Sequence, residues 1–494
     1  AAHSNFIDPR QQIFGYLYNY ILSGLDEPRL QSECVRAICE FCERFEANEV
    51  ARNFILSLFN IYDEKSYNLH TRDQLILIEA ITMLISTFNN LEDCERGIRK
   101  LLQKPQQHLQ KLLKQERESK QQSQIMISFT NGNPNVVHAK PQSRDHEDVS
   151  VEGISLYHTM NCISCMFKYF NPKSTDNDEQ PNNSKNISVQ LLEEFWNDIK
   201  YVLVNYTDSD GIMEKTTRII KHVIRNGGAM QFMQSKLCIE SLQLMTCLYC
   251  TKSQRSSFLY IIWTYVDEYI CKDRNADNEL LATLSKITQC TFHIIHNEET
   301  FRDKADIVED FYELLSLYLK KAPHLLIQNE SFLKEIFERA IYGIVMDQHR
   351  AHDAICNFYA ECLYVADYRD DDNENQKGNA NSNRYAECMH ELFMQFGPEI
   401  VHRILRGIGG EVKYDRAEKL SDLLNRIYKY DKTLIEQFVR HNMQKHMQHI
   451  NCQDPTKDEF MNQFFDYQND RRKRFQACMD WSAACDRYLR SRTF

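Results

Sequence analysis

The segment MEKTTRIIKHVIRNGG, residues 213–228, carries the side chains best placed to bind a charged ligand. At about 100° per residue of an α-helix, Lys215, Arg218, Lys221 and Arg225 fall within an arc of roughly 120°. The opposite side of this helix is apolar and consists of Ile212, Ile219, Ile220, Val223 and Ile224. The pattern predicts an amphipathic helix that presents four cations, the basic stripe, to solvent.

Rows of cations are common on helix surfaces, where they need no ligand. In this helix, however, no acid follows Glu214, so acidic partners one turn further on are missing and the cations repel one another unless an anion docks. Successive helical turns are about 5 Å apart, and alternate residues of an extended peptide are about 7 Å apart. The stripe therefore predicts an inward-facing binding site for a peptide that alternates arginine with phosphoserine.

The chain as a whole is acidic, with 70 Asp and Glu residues against 59 Lys and Arg residues and a formal net charge of -11. This balance argues against direct nucleic-acid binding, which needs a basic face, and predicts basic protein partners instead. A ligand that carries both phosphates and arginines fits a receptor that carries both signs of charge.

The spacing of some cysteines is that of metal ligands. The chain has 17 cysteines and no signal-peptide pattern, which indicates reduced thiols in the cytosol or nucleus. Three pairs have the C-x-x-C spacing of metal ligands: Cys39/Cys42, Cys162/Cys165 and Cys247/Cys250. The pairs are more than eighty residues apart in sequence, and each falls on the apolar face of a helical pattern, so we expect core cysteines and no metal.

Motifs of catalysis are absent from the sequence. It contains no GxGxxG, GxxxxGK[ST], HExxH or GxSxG. The glycines of RGIGG, residues 406–410, are better explained as a helix stop, because glycine readily adopts the left-handed cap conformation. We therefore expect neither an enzyme nor a cofactor.

Helical periodicity runs through nearly the whole chain. In PRLQSECVRAICEFCERF, residues 28–45, apolar side chains recur at the spacing of one broad helix face. Pairs of such segments follow one another at roughly 40 residues per pair, the period of HEAT repeats. The predicted fold class is all-α: a HEAT-repeat solenoid, a right-handed superhelix of antiparallel helix pairs, forming one continuous array over residues 1–494.

Three polar segments interrupt the pattern, at 115–150, 171–187 and 369–384. Their Asn, Gln, Ser and charged residues cannot support a core, so we expect mobile loops between solenoid helices rather than domain boundaries. The most apolar stretch, residues 256–269, is too short to span a bilayer, and no membrane helix is expected.

Several segments together resemble the carboxy-terminal half of the transportin-SR (transportin-3) family of importin-β-like nuclear import receptors. They are NFIDPRQQIFGYLYNYILSGL, GIMEKTTRIIKHVIRNGG, SSFLYIIWTYVDEY, DKADIVEDFYELLSLYLKKAPHLL and FERAIYGIVMDQHRAHDAICNFYAECL. Their order and spacing are similar to those of the family. The resemblance covers most of the chain outside the three polar segments.

The resemblance implies a karyopherin that shuttles between cytoplasm and nucleus. Receptors of this family carry splicing factors with Arg-Ser domains (SR proteins), interact with the Phe-Gly repeats of the nuclear pore and release cargo when Ran binds in its GTP form. In this family Ran binds chiefly to the amino-terminal half of the receptor. We expect no counterpart of that half in this sequence.

In that family an arginine-rich helix contacts the phosphorylated Arg-Ser segment, and its pattern falls here on Lys215, Arg218, Lys221 and Arg225. Two of the four are lysine, which keeps the charge but loses the planar fork that grips phosphate with two hydrogen bonds. Two alternatives stay open: a receptor similar to importin-13 with other cargo, and a HEAT scaffold in a complex unrelated to transport.

Overall fold

The computed structural model describes most of the chain as two compact units, Ala1–Leu244 and Met245–Phe494. The described residues are 12–45, 54–130, 150–151, 154–172, 186–226, 229–272, 274–327, 330–367, 380–445, 454–467 and 470–492.

The described part of the first unit consists of helices joined by turns. They are α1 (Gln12–Gly24), α2 (Gln31–Phe45), α3 (Ile55–Lys65), α4 (Thr71–Ser86), α5 (Leu91–Thr130), α6 (Leu156–Tyr169), α7 (Ile187–Asn205), α8 (Asp210–Asn226) and α9 (Ala229–Gln234), with a 3-10 turn at Ser66–Asn68. Strands β1 (Ser150–Val151) and β2 (Ile154–Ser155) pair antiparallel just before α6. Helix α10 (Lys236–Thr251) begins in this unit and ends in the second.

These helices form two layers. The even-numbered helices stack in order, α2 on α4, α4 on α6 and α6 on α8, and each of α1, α3, α5 and α7 packs against the even-numbered helix that follows it. Each even-numbered helix buries apolar side chains, among them Ile38, Ile81, Ile163 and Ile220. A helix pair of this kind covers its apolar face only by stacking on its neighbours, as in HEAT repeats.

The second unit follows the same principle. Its helices are α11 (Ser256–Tyr269), α12 (Arg274–Ile294), α13 (Glu298–Asp303), α14 (Ala305–Lys321), α15 (Pro323–Ile327), α16 (Glu330–Ala340), α17 (His349–Asp367), α18 (Ala380–Arg406), α19 (Tyr414–Tyr430), α20 (Lys432–Lys445), α21 (Asp454–Asp466) and α22 (Arg471–Arg492), with a 3-10 turn at Ile341–Gly343 and a π turn at Gly407–Glu411. One layer runs through α11, α14, α17, α19 and α22. The predicted all-α, HEAT-type fold class is confirmed in both units, whereas one continuous array over residues 1–494 stays a prediction.

The predicted loop at 115–150 is wrong over its first sixteen residues, which continue helix α5. Polar contacts stabilise the first part of this segment. Lys120 Nζ lies 2.6 Å from a Glu116 carboxylate oxygen, and the Arg117 guanidinium lies 4.5 Å from the ring centroid of Tyr201 on α7. Polar composition therefore did not prevent helix formation, because charged pairs one turn apart and a neighbouring aromatic ring stabilise the helix.

The other parts of the predicted loops are described only at their ends. Residues 131–149 lie outside the described residues, as do the central parts of 171–187 and 369–384. Asn186 caps α7 by accepting hydrogen bonds from two backbone N–H groups, and α18 begins at Ala380, so the last five residues of the third segment are helical rather than loop. The mobility of these segments stays a prediction.

The glycine-rich segment at 406–410 ends helix α18 as predicted. Gly410 has φ 112°, in the left-handed region, and closes the π turn that follows the helix. The most apolar segment forms α11 and buries Phe258, Leu259 and Ile262 completely. No helix in the described part of the chain combines the length and apolar character needed to cross a membrane.

The described cysteines are all free thiols. Cys39, Cys42 and Cys162 are buried, as the sequence predicted for core positions. Cys247 is exposed, so the core prediction is wrong at that residue. Cysteine is small and only weakly polar, and periodicity alone did not distinguish a core position from a surface position on α10.

Candidate anion-binding site

Helix α8 has the predicted amphipathic form. The five isoleucine and valine residues of its inner face are fully buried, and the helix packs on α6 and α7. Two threonines on the buried side are satisfied within the helix: Thr216 Oγ1 donates to the Ile212 carbonyl at 2.6 Å, and Thr217 Oγ1 donates to the Met213 carbonyl at 2.9 Å. Burial of this face fixes which side of α8 carries the cations.

The basic stripe is not free of acidic partners, and this part of the prediction is wrong. Arg218 Nη2 lies 2.5 Å from Glu214 Oε1, one turn earlier. Lys215 Nζ lies 3.8 Å from the same oxygen, and only 12% of the Lys215 side chain is exposed. The Lys215 ammonium lies 5.7 Å from the ring centroid of Tyr157 on α6. Lys215 therefore belongs largely to the interface between α6 and α8.

The other three stripe residues gather around His222. Arg218 and Arg225 are exposed, and Lys221 is half-buried. Burial, and then the charges of Lys221, Lys168, Arg218 and Arg225, lower the pKa of His222 to about 4. His222 is therefore neutral near pH 7. The charges that lower this pKa beyond the effect of burial are all cationic.

Lys168 joins the stripe from the end of α6, and the sequence analysis missed it. Asn226, the last residue of α8, donates hydrogen bonds to the carbonyls of Phe167 at 3.1 Å and Lys168 at 2.7 Å. These bonds tie the carboxyl ends of α6 and α8 together. No sequence signal near Lys168 indicated this position, because it depends on how two helices separated by the 171–187 segment pack.

The four residues Lys168, Arg218, Lys221 and Arg225 around His222 are called the His222 cluster below. Three of its side chains come from one helix and one from its neighbour, and three are exposed. Such an arrangement offers several charge-assisted hydrogen bonds to an anion at a surface, where each is worth up to about 1.5–3 kcal/mol and less when solvated. The His222 cluster thus differs from the predicted basic stripe in one residue: it includes Lys168 and lacks Lys215.

The architecture defines the class of protein to which the chain is similar. Importin-13 in its cytosolic state has a TM-score of 0.69 with this chain at 14% sequence identity, over 95% of this chain and 47% of importin-13. Kap121p bound to Pho4p has a TM-score of 0.48 at 12% identity, over 97% of this chain and 42% of Kap121p. The chain thus spans less than half the length of these two karyopherins. The similarity to importin-13 shows that the chain has the fold of a karyopherin-type HEAT solenoid.

A family comparison is more specific. Residues 188–295 match the family model described as the Transportin-3/Importin-13 fourth TPR domain. The matched region contains α8 with the basic stripe, together with α10 and α11. The resemblance to the transportin-3 and importin-13 receptors that the sequence predicted is confirmed over this region.

Proposed function

We propose that this chain is the cargo-binding part of a nuclear import receptor, and that the His222 cluster binds phosphorylated Arg-Ser segments of splicing factors. The observation that carries the proposal is the concentration of positive charge at α8 in a chain of net charge -11, within the region that matches transportin-3 and importin-13. A receptor of this kind transports its cargo and catalyses no reaction.

The geometry supports a phosphorylated rather than an unmodified ligand. Arg218 is already paired with Glu214, and this pair is exposed, so it contributes little to stability. A phosphoserine carries about -1.5 to -2 charges and three acceptor oxygens. It competes with a single carboxylate for the Arg218 guanidinium and gains contacts from Lys221 and Arg225. An unmodified Arg-Ser peptide has only cations to offer to this cluster.

The test is a binding measurement with an Arg-Ser peptide of about eight repeats, with and without phosphoserine. Arg218 and Arg225 are each changed to Glu. Lys114→Glu, at an exposed lysine on α5 that does not affect the pKa of His222, serves as the matched charge-reversal control. We expect each cluster variant to weaken binding of the phosphorylated peptide at least tenfold, which corresponds to loss of about one charge-assisted contact.

The outcomes separate the possible ligands. Equal binding of both peptides to all variants, or equal losses in the Lys114 control, contradicts the proposal. A second readout is the pKa of His222, which we expect to rise when phosphate groups occupy the cluster, because bound anions offset the field of the cations. If the phosphorylated peptide binds and the pKa of His222 does not rise, the peptide binds at a different site.

We further propose that cargo release depends on Ran-GTP and that passage through the pore depends on Phe-Gly repeats, so that the receptor shuttles between cytoplasm and nucleus. Ran is expected to bind chiefly through the amino-terminal half of such receptors. Pull-down of the longer receptor with Ran-GTP and with Phe-Gly peptides tests this part. A scaffold unrelated to transport binds neither.

The matching family model covers both transportin-3 and importin-13, so an importin-13-like receptor with other cargo is the second candidate. This candidate retains the Ran and Phe-Gly interactions but shows no preference for the phosphorylated peptide. The peptide measurement therefore decides between the two cargo classes.

A further inference from the structure

A sulfur and two carboxylates converge between α2 and α4 in the first unit. The ligand atoms of Cys39, Glu43 and Glu79 all lie within 4.8 Å of one another. Cys39 and Glu43 are four residues apart on α2 and so share a face of that helix, while Glu79 comes from α4, which packs on α2. This Cys39 cluster joins two helices that are neighbours in the stack.

The cluster has negative charge and no compensating ion pair among the described residues. Neither Glu43 nor Glu79 forms a salt bridge with a described Lys, Arg or His. Cys39 is only 8% exposed, and its thiol makes no side-chain hydrogen bond to another described residue. Two carboxylates this close repel each other when both are ionised. A bound cation removes that repulsion and gives the buried sulfur a partner.

Tyr169, at the end of α6, neighbours one of the carboxylates. Burial and then Glu79 raise the pKa of the Tyr169 hydroxyl, so the phenol stays protonated beside this carboxylate. Lys168 Nζ in turn donates to the Tyr169 oxygen at 2.6 Å. Ligands of protein-bound metals are commonly held by such partners, which fix the direction of the coordinating oxygen.

We propose that Cys39, Glu43 and Glu79 bind a zinc ion, with water at the fourth position on the exposed side of Glu43. Zinc suits a set of one sulfur and two oxygens, whereas calcium and magnesium prefer oxygen ligands alone. Zn–S bonds of about 2.3 Å and Zn–O bonds of about 2.0–2.2 Å place tetrahedral ligands roughly 3.5 Å apart. The ligand atoms lie within 4.8 Å of one another, and rotamer changes of Glu43, which is exposed, and Glu79, which is half-buried, bring them to this spacing in the proposed site. The Cys39 thiol proton leaves to solvent as the Zn–S bond forms.

The function of this ion is to link α2 to α4, whereas the proposed peptide site serves cargo. Lys168 neighbours both sites, and neither of the two binding tests changes it. The C-x-x-C spacing of Cys39 and Cys42 does not create the site. Cys39 supplies the only sulfur of the set, and the other two protein ligands are the carboxylates of Glu43 on α2 and Glu79 on α4. A metal centre of this type has no signature in the linear sequence.

The experiment is titration of the full chain with zinc against a chromophoric chelator, and with cobalt, whose thiolate charge-transfer absorption reports a bond to sulfur. Cys39→Ala and Glu79→Gln are the test variants. Cys42→Ala, at an equally buried cysteine one turn further along α2, is the matched control. Circular dichroism establishes that each variant retains its helices.

We expect one zinc ion per chain, a cobalt–thiolate band and a rise in melting temperature with zinc. Cys39→Ala and Glu79→Gln should each lower the affinity for zinc at least tenfold, and Cys39→Ala should also remove the cobalt–thiolate band. Cys42→Ala should keep both the zinc affinity and the band. Absence of stoichiometric binding by the unmodified chain overturns the proposal. Retention of the site in folded Cys39→Ala or Glu79→Gln, or equal loss in Cys42→Ala, overturns it as well.

Discussion

At the scale of single residues, the notable group of the candidate site is a neutral histidine among cations. His222 is surrounded by Lys168, Arg218, Lys221 and Arg225, and burial with these charges depresses its pKa from the ordinary 6.5 to about 4. Because the charged form is disfavoured in the folded state, His222 stabilises the fold fully above about pH 6.5. That contribution is lost as the pH falls toward about 4.

This sign gives a testable pH dependence. Between pH 7 and pH 5, titration of His222 should reduce the free energy of unfolding of its region by at most about 2 kcal/mol. In Lys168→Met, the pKa of His222 should rise toward 6.5 because one neighbouring cation is removed. Nuclear magnetic resonance titration of labelled histidines measures both effects. A His222 pKa near 6.5 in the unmodified chain would contradict the assignment.

Residue types and helix periodicity predicted part of this site. They placed Arg218, Lys221 and Arg225 on the polar face of α8 and the isoleucines on the buried face. They did not predict the burial of Lys215, which depends on Tyr157 of another helix. Glu214 and Arg218 have the i,i+4 spacing of a helical ion pair, so this contact was predictable from the sequence.

At the scale of elements, the end of α18 depends on one backbone conformation. Gly410 has φ 112°, which an L-residue with a side chain adopts only at a cost of about 1–2 kcal/mol. Gly410→Ala should therefore destabilise the π turn and speed amide hydrogen exchange in residues 407–412 by about fivefold to thirtyfold.

Gly15→Ala provides the control with the opposite sign. A Cβ added at Gly15 of α1 meets no atom within 4 Å, and alanine favours the helix over glycine by up to about 1 kcal/mol. Exchange in α1 should slow by up to about fivefold. Faster exchange in both variants would indicate a general loss of packing rather than a requirement for left-handed backbone at Gly410.

The sequence predicted most elements because their apolar residues repeat at helical spacing, as in α2 and α8. It failed where polar residues form a helix. Residues 115–121 of α5 are polar and mostly exposed, yet Arg117 and Lys120 contact Tyr201 and Asn205 of α7. Such stabilisation depends on the neighbouring helix and leaves no periodic pattern.

At the scale of the whole molecule, the net charge of -11 and the local cationic cluster have opposite signs. Under the proposed function, long-range attraction acts on the arginines of an Arg-Ser peptide, and the His222 cluster is the expected contact for its phosphates. The first effect acts on the rate of association and is screened over about 10 Å at 0.1 M salt.

We therefore expect the association rate constant of the phosphorylated peptide to fall severalfold between 50 mM and 300 mM salt, with a smaller change in the dissociation rate constant. Arg225→Glu should chiefly increase the dissociation rate constant. Stopped-flow fluorescence with a labelled peptide measures both constants. Rates of association that do not depend on salt would argue against charge steering.

The stacking order of the first unit also has a mechanical consequence. Helices α2, α4, α6 and α8 are in contact one after another. Three helix interfaces therefore separate α2 from α8, and each helix of this row packs chiefly on its neighbours. We therefore expect small displacements at successive interfaces to add, so that α8 can move further relative to α2 than any one helix moves against its neighbour.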